Sequence, residues 1–200
     1  MDVGDLDPDP IVQFKRWFDD AIEHPAVDEP AAVVLATADP EGRPSARAVL
    51  LRGLDERGFV FFTNSRSQKA REVEANPPAA MVFLWQPLHR QVRIAGTVAR
   101  IDAATEDAYF AGRPRGSQVA AWASDQSEIL GSRAVLDERY AAVEAEYQGR
   151  DIPRPPHWGG YRLAPEVVEL WSQRPNRMHD RLRYVRDGAE AGWRIERLAP

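Results

Sequence analysis

The chain sets basic side chains beside small hydroxyls at several turns, an arrangement that suits anions. Thr63, Ser65, Ser67, Gln68 and Lys69 lie where an apolar run gives way to a helix-like segment. A helix start offers free N–H groups, and hydroxyls and an ammonium beside them make a phosphate site. The same residues also fit a plain N-cap, Ser65 or Ser67, followed by a solvated lysine. Arg113-Pro114-Arg115-Gly116-Ser117-Gln118 repeats the theme, as a second phosphate cradle or as an ordinary surface loop. Arg177, His179 and Arg181 alternate, so on an extended segment they share one face and Asp180 points the other way. Three cationic or titratable groups on one face repel unless an anion or carboxylate answers them. Arg47 and Arg52 lie five apart on one expected strand, which sends them to opposite faces unless a bulge intervenes.

Other chemistries lack their parts. The chain has no GxGxxG, no GxxxxGK[ST], no HExxH and no GxSxG. His24, His89, His157 and His179 are not at metal-ligand spacing, and the absence of cysteine removes thiolate metal sites, thiol nucleophiles and disulfides. No side chain here transfers hydride, so redox chemistry would require a cofactor. A net charge of −5 argues against a general nucleic-acid binder. Only Lys15 and Lys69 are lysines among 26 basic residues, which makes a lysine in a polar turn notable.

The elements that must position these residues follow from periodicity. Residues 1–10 are acidic and proline-bearing and read as a flexible tail, disordered or loosely docked, without signal-peptide features, which goes with a cytoplasmic location. Residues 11–200 read as one domain. Ile11 to Ile22 has helical spacing, stopped by His24-Pro25. Ala32 to Ala38, Ser45 to Arg52 and Phe59 to Thr63 read as strands joined by turns at 39–42 and Leu54 to Gly58. A short helix over Ser67 to Asn76 ends at Pro77-Pro78. Strands follow at Ala79 to Trp85 and Gln91 to Ile101. Helices follow at Thr105 to Ala111, Ser117 to Ala123 and Ser132 to Tyr147, then a proline-rich connector over Asp151 to His157. Tyr161 to Trp171 is a strand, and Leu182 to Arg186 with Trp193 to Arg197 a closing hairpin. Five to seven strands with helices at the edges predict an α+β, mainly antiparallel, small barrel. No run approaches the roughly 20 apolar residues of a membrane span.

Several of these motifs, in order, resemble the flavin-dependent oxidases that act on pyridoxine and pyridoxamine 5′-phosphate. The carrying segments are Arg47-Ala-Val-Leu-Leu-Arg52, Phe61-Phe-Thr-Asn64, Ser67-Gln-Lys69, Arg90-Gln-Val92 and Tyr109-Phe110 with Arg113-Pro-Arg-Gly-Ser117-Gln. Ala121-Trp-Ala-Ser124, Gln126-Ser127, Trp158-Gly-Gly160, Trp171, Arg177-Met-His-Asp-Arg181 and the closing Arg197-Leu-Ala-Pro200 continue the likeness. It runs from about Ile11 to Pro200.

The resemblance implies an FMN-binding split β-barrel with flanking helices, a homodimer holding FMN at the subunit interface. It implies FMN contacts at Arg47, Val49, Leu50, Phe62, Thr63, Gln68, Lys69, Gln91, Gln126, Ser127, Trp171 and Arg181. It implies contacts to a small phosphorylated pyridine at Arg52, Tyr109, Arg113, Ser117, Arg177 and His179, the last two beside the reacting carbon, with dioxygen as electron acceptor. No metal, nucleic acid or membrane enters. The likeness departs at Arg52, where the family has lysine. Arginine keeps the charge but is longer, planar and forked, so substrate preference turns on whether it still reaches the phosphate. Phe62 and Gln68 are smaller departures. Rival readings are a same-fold oxidase of the phenazine-biosynthesis type, a non-catalytic flavin or pyridoxal phosphate binder, and a deazaflavin-dependent reductase.

Overall fold

A computed structural model describes residues 1–188 and 192–200. Helix α1, Pro10–Glu23, starts where Asp9 accepts a hydrogen bond from the Ile11 N–H at 2.8 Å and Pro10 occupies the first turn. Its apolar stripe, Phe14, Trp17 and Ala21, is buried against the sheet. Phe14 meets Phe59 edge-on and also packs on Phe83 and Trp85.

Among the described residues nine strands form one sheet in which every pairing is antiparallel: β1 Ala32–Ala38, β2 Pro44–Leu50, β3 Gly53–Asp55, β4 Gly58–Asn64, β5 Pro78–Trp85, β6 Arg90–Arg100, β7 Trp158–Ser172, β8 Asp180–Arg186 and β9 Trp193–Arg197. The order is β2-β1-β5-β6-β7-β4-β3, with β8 and β9 continuing from β7. Strand β7 is long enough to pair β4 with its first half and β8 with its second, and this division curls the sheet into a half-barrel. A bulge between Ala95 and Gly96 faces Pro165. A Cβ on Gly96 would lie 2.0 Å from the Ala164 carbonyl oxygen, so only glycine allows the strands to approach there.

Helix α2, Gln68–Ala75, follows β4. Helices α3 Ala103–Ala111, α4 Arg115–Ala123 and α5 Arg133–Glu146 sit between β6 and β7 over a second apolar cluster of Phe110, Val119, Ile152 and Trp158. Among the described residues no helix is long and apolar enough to cross a membrane.

Three expectations are corrected. Leu54 and Asp55, read as part of a turn, belong to a short strand, Gly53–Asp55, paired with Gly58–Val60, because Asp55 Oδ1 accepts the Arg57 N–H and closes the turn in two residues. The closing hairpin extends the main sheet, which raises the strand count to nine. Residues 1–9 are docked rather than loose. Leu6 packs on the core, the buried Tyr184 hydroxyl donates to the Asp7 carbonyl at 2.6 Å, and Arg16 pairs with the Asp7 carboxylate at 2.7 Å. A buried tyrosine needs an acceptor, and this segment provides it.

Candidate active site

Two cationic groups share one cavity of about 830 Å³. The first is built by β2, β4 and the start of α2. Lys69 is 9% exposed, although a lysine in a polar helix start is ordinarily solvated. Its Nζ donates to Thr63 Oγ1 at 3.2 Å, Ser67 Oγ at 3.4 Å and Gln126 Oε1 at 3.1 Å. Among the described residues no carboxylate lies within 4.0 Å of it. Burial pulls its pKa below the usual lysine value; nearby Arg47 adds to this and Glu72 opposes it. Ser67 holds the N-cap position without a capping side-chain bond, so the plain-cap reading of this turn fails. Instead the Gln68 N–H donates to Ser127 Oγ at 3.1 Å.

Behind this group lies a carboxylate that spacing did not reveal. Glu72 Oε2 accepts from Ser45 Oγ at 2.6 Å, from Thr37 Oγ1, and from Arg47 Nη2 at 3.2 Å, while Oε1 accepts from Gln68 Nε2 at 2.8 Å. Burial alone would raise its pKa. The hydrogen bonds from Ser45, Thr37 and Gln68 and the charge of Arg47 outweigh that and hold it at about 2. Arg47 also donates to Thr37 Oγ1 at 2.5 Å, so its guanidinium is fixed in the wall.

The second group comes from Arg52, from α3 and from the turn before α4. The Arg113 guanidinium lies 4.8 Å above the Trp158 ring and 5.5 Å from Phe110. Its Nη1 is buried with no hydrogen-bond partner, and none of the described carboxylates pairs with it. Burial lowers its pKa, Tyr109 opposes and Arg52 adds to the lowering, yet an arginine stays protonated. Phe62, Tyr109 and Trp158 stack in parallel, with Phe62 and Tyr109 centroids 3.9 Å apart. Ser117 and Pro114 complete this wall. A half-buried guanidinium whose buried Nη1 is idle, beside a hydroxyl, a phenol and a second arginine, suits an anion with several acceptor oxygens.

Thus Arg47, Val49, Leu50, Arg52, Phe62, Thr63, Lys69, Tyr109, Arg113, Ser117 and Gln126 all line one cavity. The expected opposition of Arg47 and Arg52 is overturned: β2 ends at Leu50, and the chain changes direction before Arg52 donates its N–H to Val60. Ser127 and Gln68 meet through the helix start, but the Gln68 side chain turns to Glu72.

Gln91, Trp171, Arg177, His179 and Arg181 do not line it. Gln91, Trp171 and Arg181 are register neighbours across β6, β7 and β8. The His179 ring lies 4.6 Å from that of Trp171. The shared-face geometry of Arg177, His179 and Arg181 is also corrected. Arg177 ends a 3₁₀ turn, with Asn176 at φ 57 and itself at φ 60, so the segment is not extended. Arg181 turns to Glu169 Oε1 at 2.8 Å and the Ala199 carbonyl at 3.0 Å. The exposed Leu84, register partner of Gln91, adjoins this patch. A smaller recess of about 450 Å³ beside Arg115, Glu144 and Gln148 holds no comparable grouping. Among the described residues no group of three or more histidine, aspartate or glutamate side chains is arranged to hold a metal.

Residues 19–147 match the family model described as pyridoxamine 5′-phosphate oxidase, and residues 158–200 that of the pyridoxine 5′-phosphate oxidase C-terminal dimerisation region. The chain is 58% identical over 194 residues to a pyridoxine/pyridoxamine 5′-phosphate oxidase of Rubrobacter xylanophilus, covering 97% of this chain and 88% of that one. It is 54% identical to the protein of that name from Paraburkholderia phymatum, covering 100% and 93%. The fold superimposes on PhzG from Burkholderia lata, solved with tetrahydrophenazine-1-carboxylic acid, with a TM-score of 0.92 at 36% identity, covering 98% and 95%.

Proposed function

Since the chain belongs to the pyridoxine/pyridoxamine 5′-phosphate oxidase family, we propose that it oxidises pyridoxine or pyridoxamine 5′-phosphate to pyridoxal 5′-phosphate. The observation that carries this reading is a pair of cations on the wall of one cavity, the buried Lys69 and the half-buried Arg113 with its buried Nη1, each without a carboxylate partner among the described residues. Two phosphoryl groups, one from the cofactor and one from the substrate, answer them.

The donor set fits FMN. Lys69, Arg47, Thr63 and Gln126 would hold its phosphate end, and Val49, Leu50 and Phe62 would offer apolar and aromatic surface to the ring. When bound, FMN would supply the two-electron acceptor for the substrate C4′–H bond, with dioxygen as the final oxidant reduced to hydrogen peroxide. The chain's own part is placement and charge. Arg52, Arg113, Tyr109 and Ser117 bind the substrate phosphate with charge-assisted bonds. The amine substrate needs one water to release ammonia from its oxidised form.

Trp171, Arg177, His179 and Arg181 come from the partner subunit of a homodimer. The C-terminal region that matches a dimerisation model contains Trp171, Arg177, His179 and Arg181. Their position outside the cavity, next to exposed Leu84 and Met178, supports this. His179 Nδ1 accepts the Arg174 N–H at 3.2 Å, so the neutral ring carries its proton on Nε2. That Nε2–H is a donor for the substrate's 4′ substituent, and Arg177 steadies the pyridine ring. The proposal includes a cytoplasmic location.

The test is an aerobic assay of FMN-loaded protein with pyridoxine 5′-phosphate, following aldehyde absorbance and peroxide together. Turnover of a dihydrophenazine carboxylate and none of the phosphate ester would assign the chain to the PhzG type. Tight binding without any turnover would make it a binding module, and release of a deazaflavin in place of FMN would make it a reductase.

A further inference from the structure

Glu106, on α3, does not line the cavity and is 1% exposed. A buried carboxylate is costly unless each oxygen is matched. Here the matches come from three other elements. Arg100 Nε, at the end of β6, donates to Oε1 at 3.0 Å, and the Gly160 N–H on β7 donates to the same oxygen at 3.0 Å. Arg154 Nη1, in the connector, pairs with Oε2 at 3.0 Å and also donates to the Trp158 carbonyl at 2.7 Å. A side chain at either glycine would push on this grouping: a Cβ on Gly159 would lie 2.5 Å from Glu106 Oε1, and one on Gly160 would lie 2.7 Å from Phe62 Cε1.

This clamp joins the two elements that present the phosphate-facing group. Tyr109 is one turn beyond Glu106 on α3, so holding Glu106 sets the roll of that helix under the phenol. Trp158 opens β7, and its carbonyl is held by the same Arg154. The Trp158 ring stacks with Phe62 and Tyr109 and carries the Arg113 guanidinium. Arg113 has no carboxylate to aim it among the described residues, so the aromatic faces of Trp158 and Phe110 fix its direction. We propose that Glu106 is a positioning residue for substrate-phosphate recognition: it clamps α3 to the start of β7 and, through Tyr109 and Trp158, aims Arg113 into the cavity. The inference rests on the reading of Arg52, Tyr109, Arg113 and Ser117 as the phosphate group of the site.

Glu106→Gln keeps the shape and removes the charge that holds Arg100 and Arg154. In the FMN-loaded enzyme the variant is compared with wild type for KM and kcat on pyridoxine 5′-phosphate and on pyridoxine. Equilibrium binding of pyridoxal 5′-phosphate and of pyridoxal is measured alongside. The expected result is a KM for the phosphate ester raised about 10-fold, with kcat within about 3-fold and flavin content unchanged; 10-fold is about 1.4 kcal/mol. Pyridoxal 5′-phosphate should bind about 10-fold more weakly while pyridoxal binding stays the same. A purely structural role would lower the melting temperature and leave the preference for the phosphorylated compound at its wild-type value; that outcome overturns the inference. If wild type itself fails to prefer the phosphorylated compounds, the phosphate reading of the site falls first. Should Glu106→Gln give no folded flavoprotein, Arg154→Gln removes one arm of the clamp at a side chain 15% exposed and carries the same expectation.

Discussion

Lys69 Nζ lies 3.1 Å from Gln126 Oε1, and the two residues are 57 positions apart in the chain. The contact ties the start of α2 to the loop after α4 and closes the polar end of the cavity. It is a contact between a charge and a neutral amide, so it leaves the ammonium's charge uncompensated.

From this we expect Lys69→Ala to purify with much less FMN. Losing one charge-assisted phosphate contact costs about 1.5–3 kcal/mol, or roughly 10- to 100-fold in affinity. Fluorimetric titration of the flavin-free protein checks it. Unchanged flavin occupancy would remove Lys69 from the cofactor site.

Lys69 also sets a pH dependence. Burial first, then Arg47, holds its pKa below 10.5. A phosphate binds the protonated form, so FMN affinity should fall as pH rises from that lowered value towards 10.5, and Lys69→Arg should flatten the alkaline limb. For flavin-free protein the sign reverses. The desolvation cost of the charged lysine is fully present at lower pH and is relieved as pH rises through the same window. Chemical denaturation of apoprotein across that range reads the second effect.

Glu72 gives the acid-side counterpart. Its pKa falls from 4.5 to about 2 on folding. A carboxylate depressed in this way contributes stability that is complete above 4.5 and lost as pH falls through about 2. Glu72→Gln should therefore be less stable than wild type at pH 7 by about 2–3 kcal/mol. The gap should close as the medium is acidified. A gap independent of pH would mean that the network of Thr37, Ser45 and Arg47 does not depend on the charge.

Glu72 also marks where sequence reasoning stops. Ser67 to Asn76 reads as a short helix with nothing to mark Glu72, and only pairing of β1 with β2 brings Thr37 and Ser45 under that helix. Local signals did carry far: the β-branched run Ala32 to Ala38 is a strand with those bounds, and the turn over Asp39 to Gly42 falls where expected. Alternation misled at Arg177 and His179, because it presupposes an extended chain and Pro175-Asn176 turns instead. It misled again at Arg52, since a strand's two faces cease to mean anything once the strand ends. The division of the site residues between a cavity and an outer patch is a tertiary fact with no local trace.

Arg52 lines the cavity beside Arg113, at the position where the resemblance implies a lysine. Arg52→Lys should therefore keep the KM for pyridoxine 5′-phosphate within about 3-fold, because the charge is retained and this exposed side chain has room to adjust. Arg113→Lys should raise it about 10-fold or more, since an ammonium replaces a planar cation stacked on Trp158. Steady-state kinetics on the two variants decides it. Equal effects would mean that stacking does not aim Arg113.

The outer patch yields the most discriminating experiment. Arg113 lines the cavity and Arg177 does not, and the proposed dimer joins one subunit's cavity to its partner's Arg177. Arg113→Ala and Arg177→Ala homodimers should each turn over slowly, the second while keeping its flavin. In a hybrid carrying one subunit of each kind, two-fold symmetry places both defects at one site and leaves the other intact. Differently tagged subunits, co-expressed and purified through both tags, should then show about half of wild-type turnover per dimer. If Arg177 instead served its own chain's cavity, each hybrid site would carry one defect and the hybrid would be as slow as its parents. A slow hybrid with full flavin content would therefore reject the shared site.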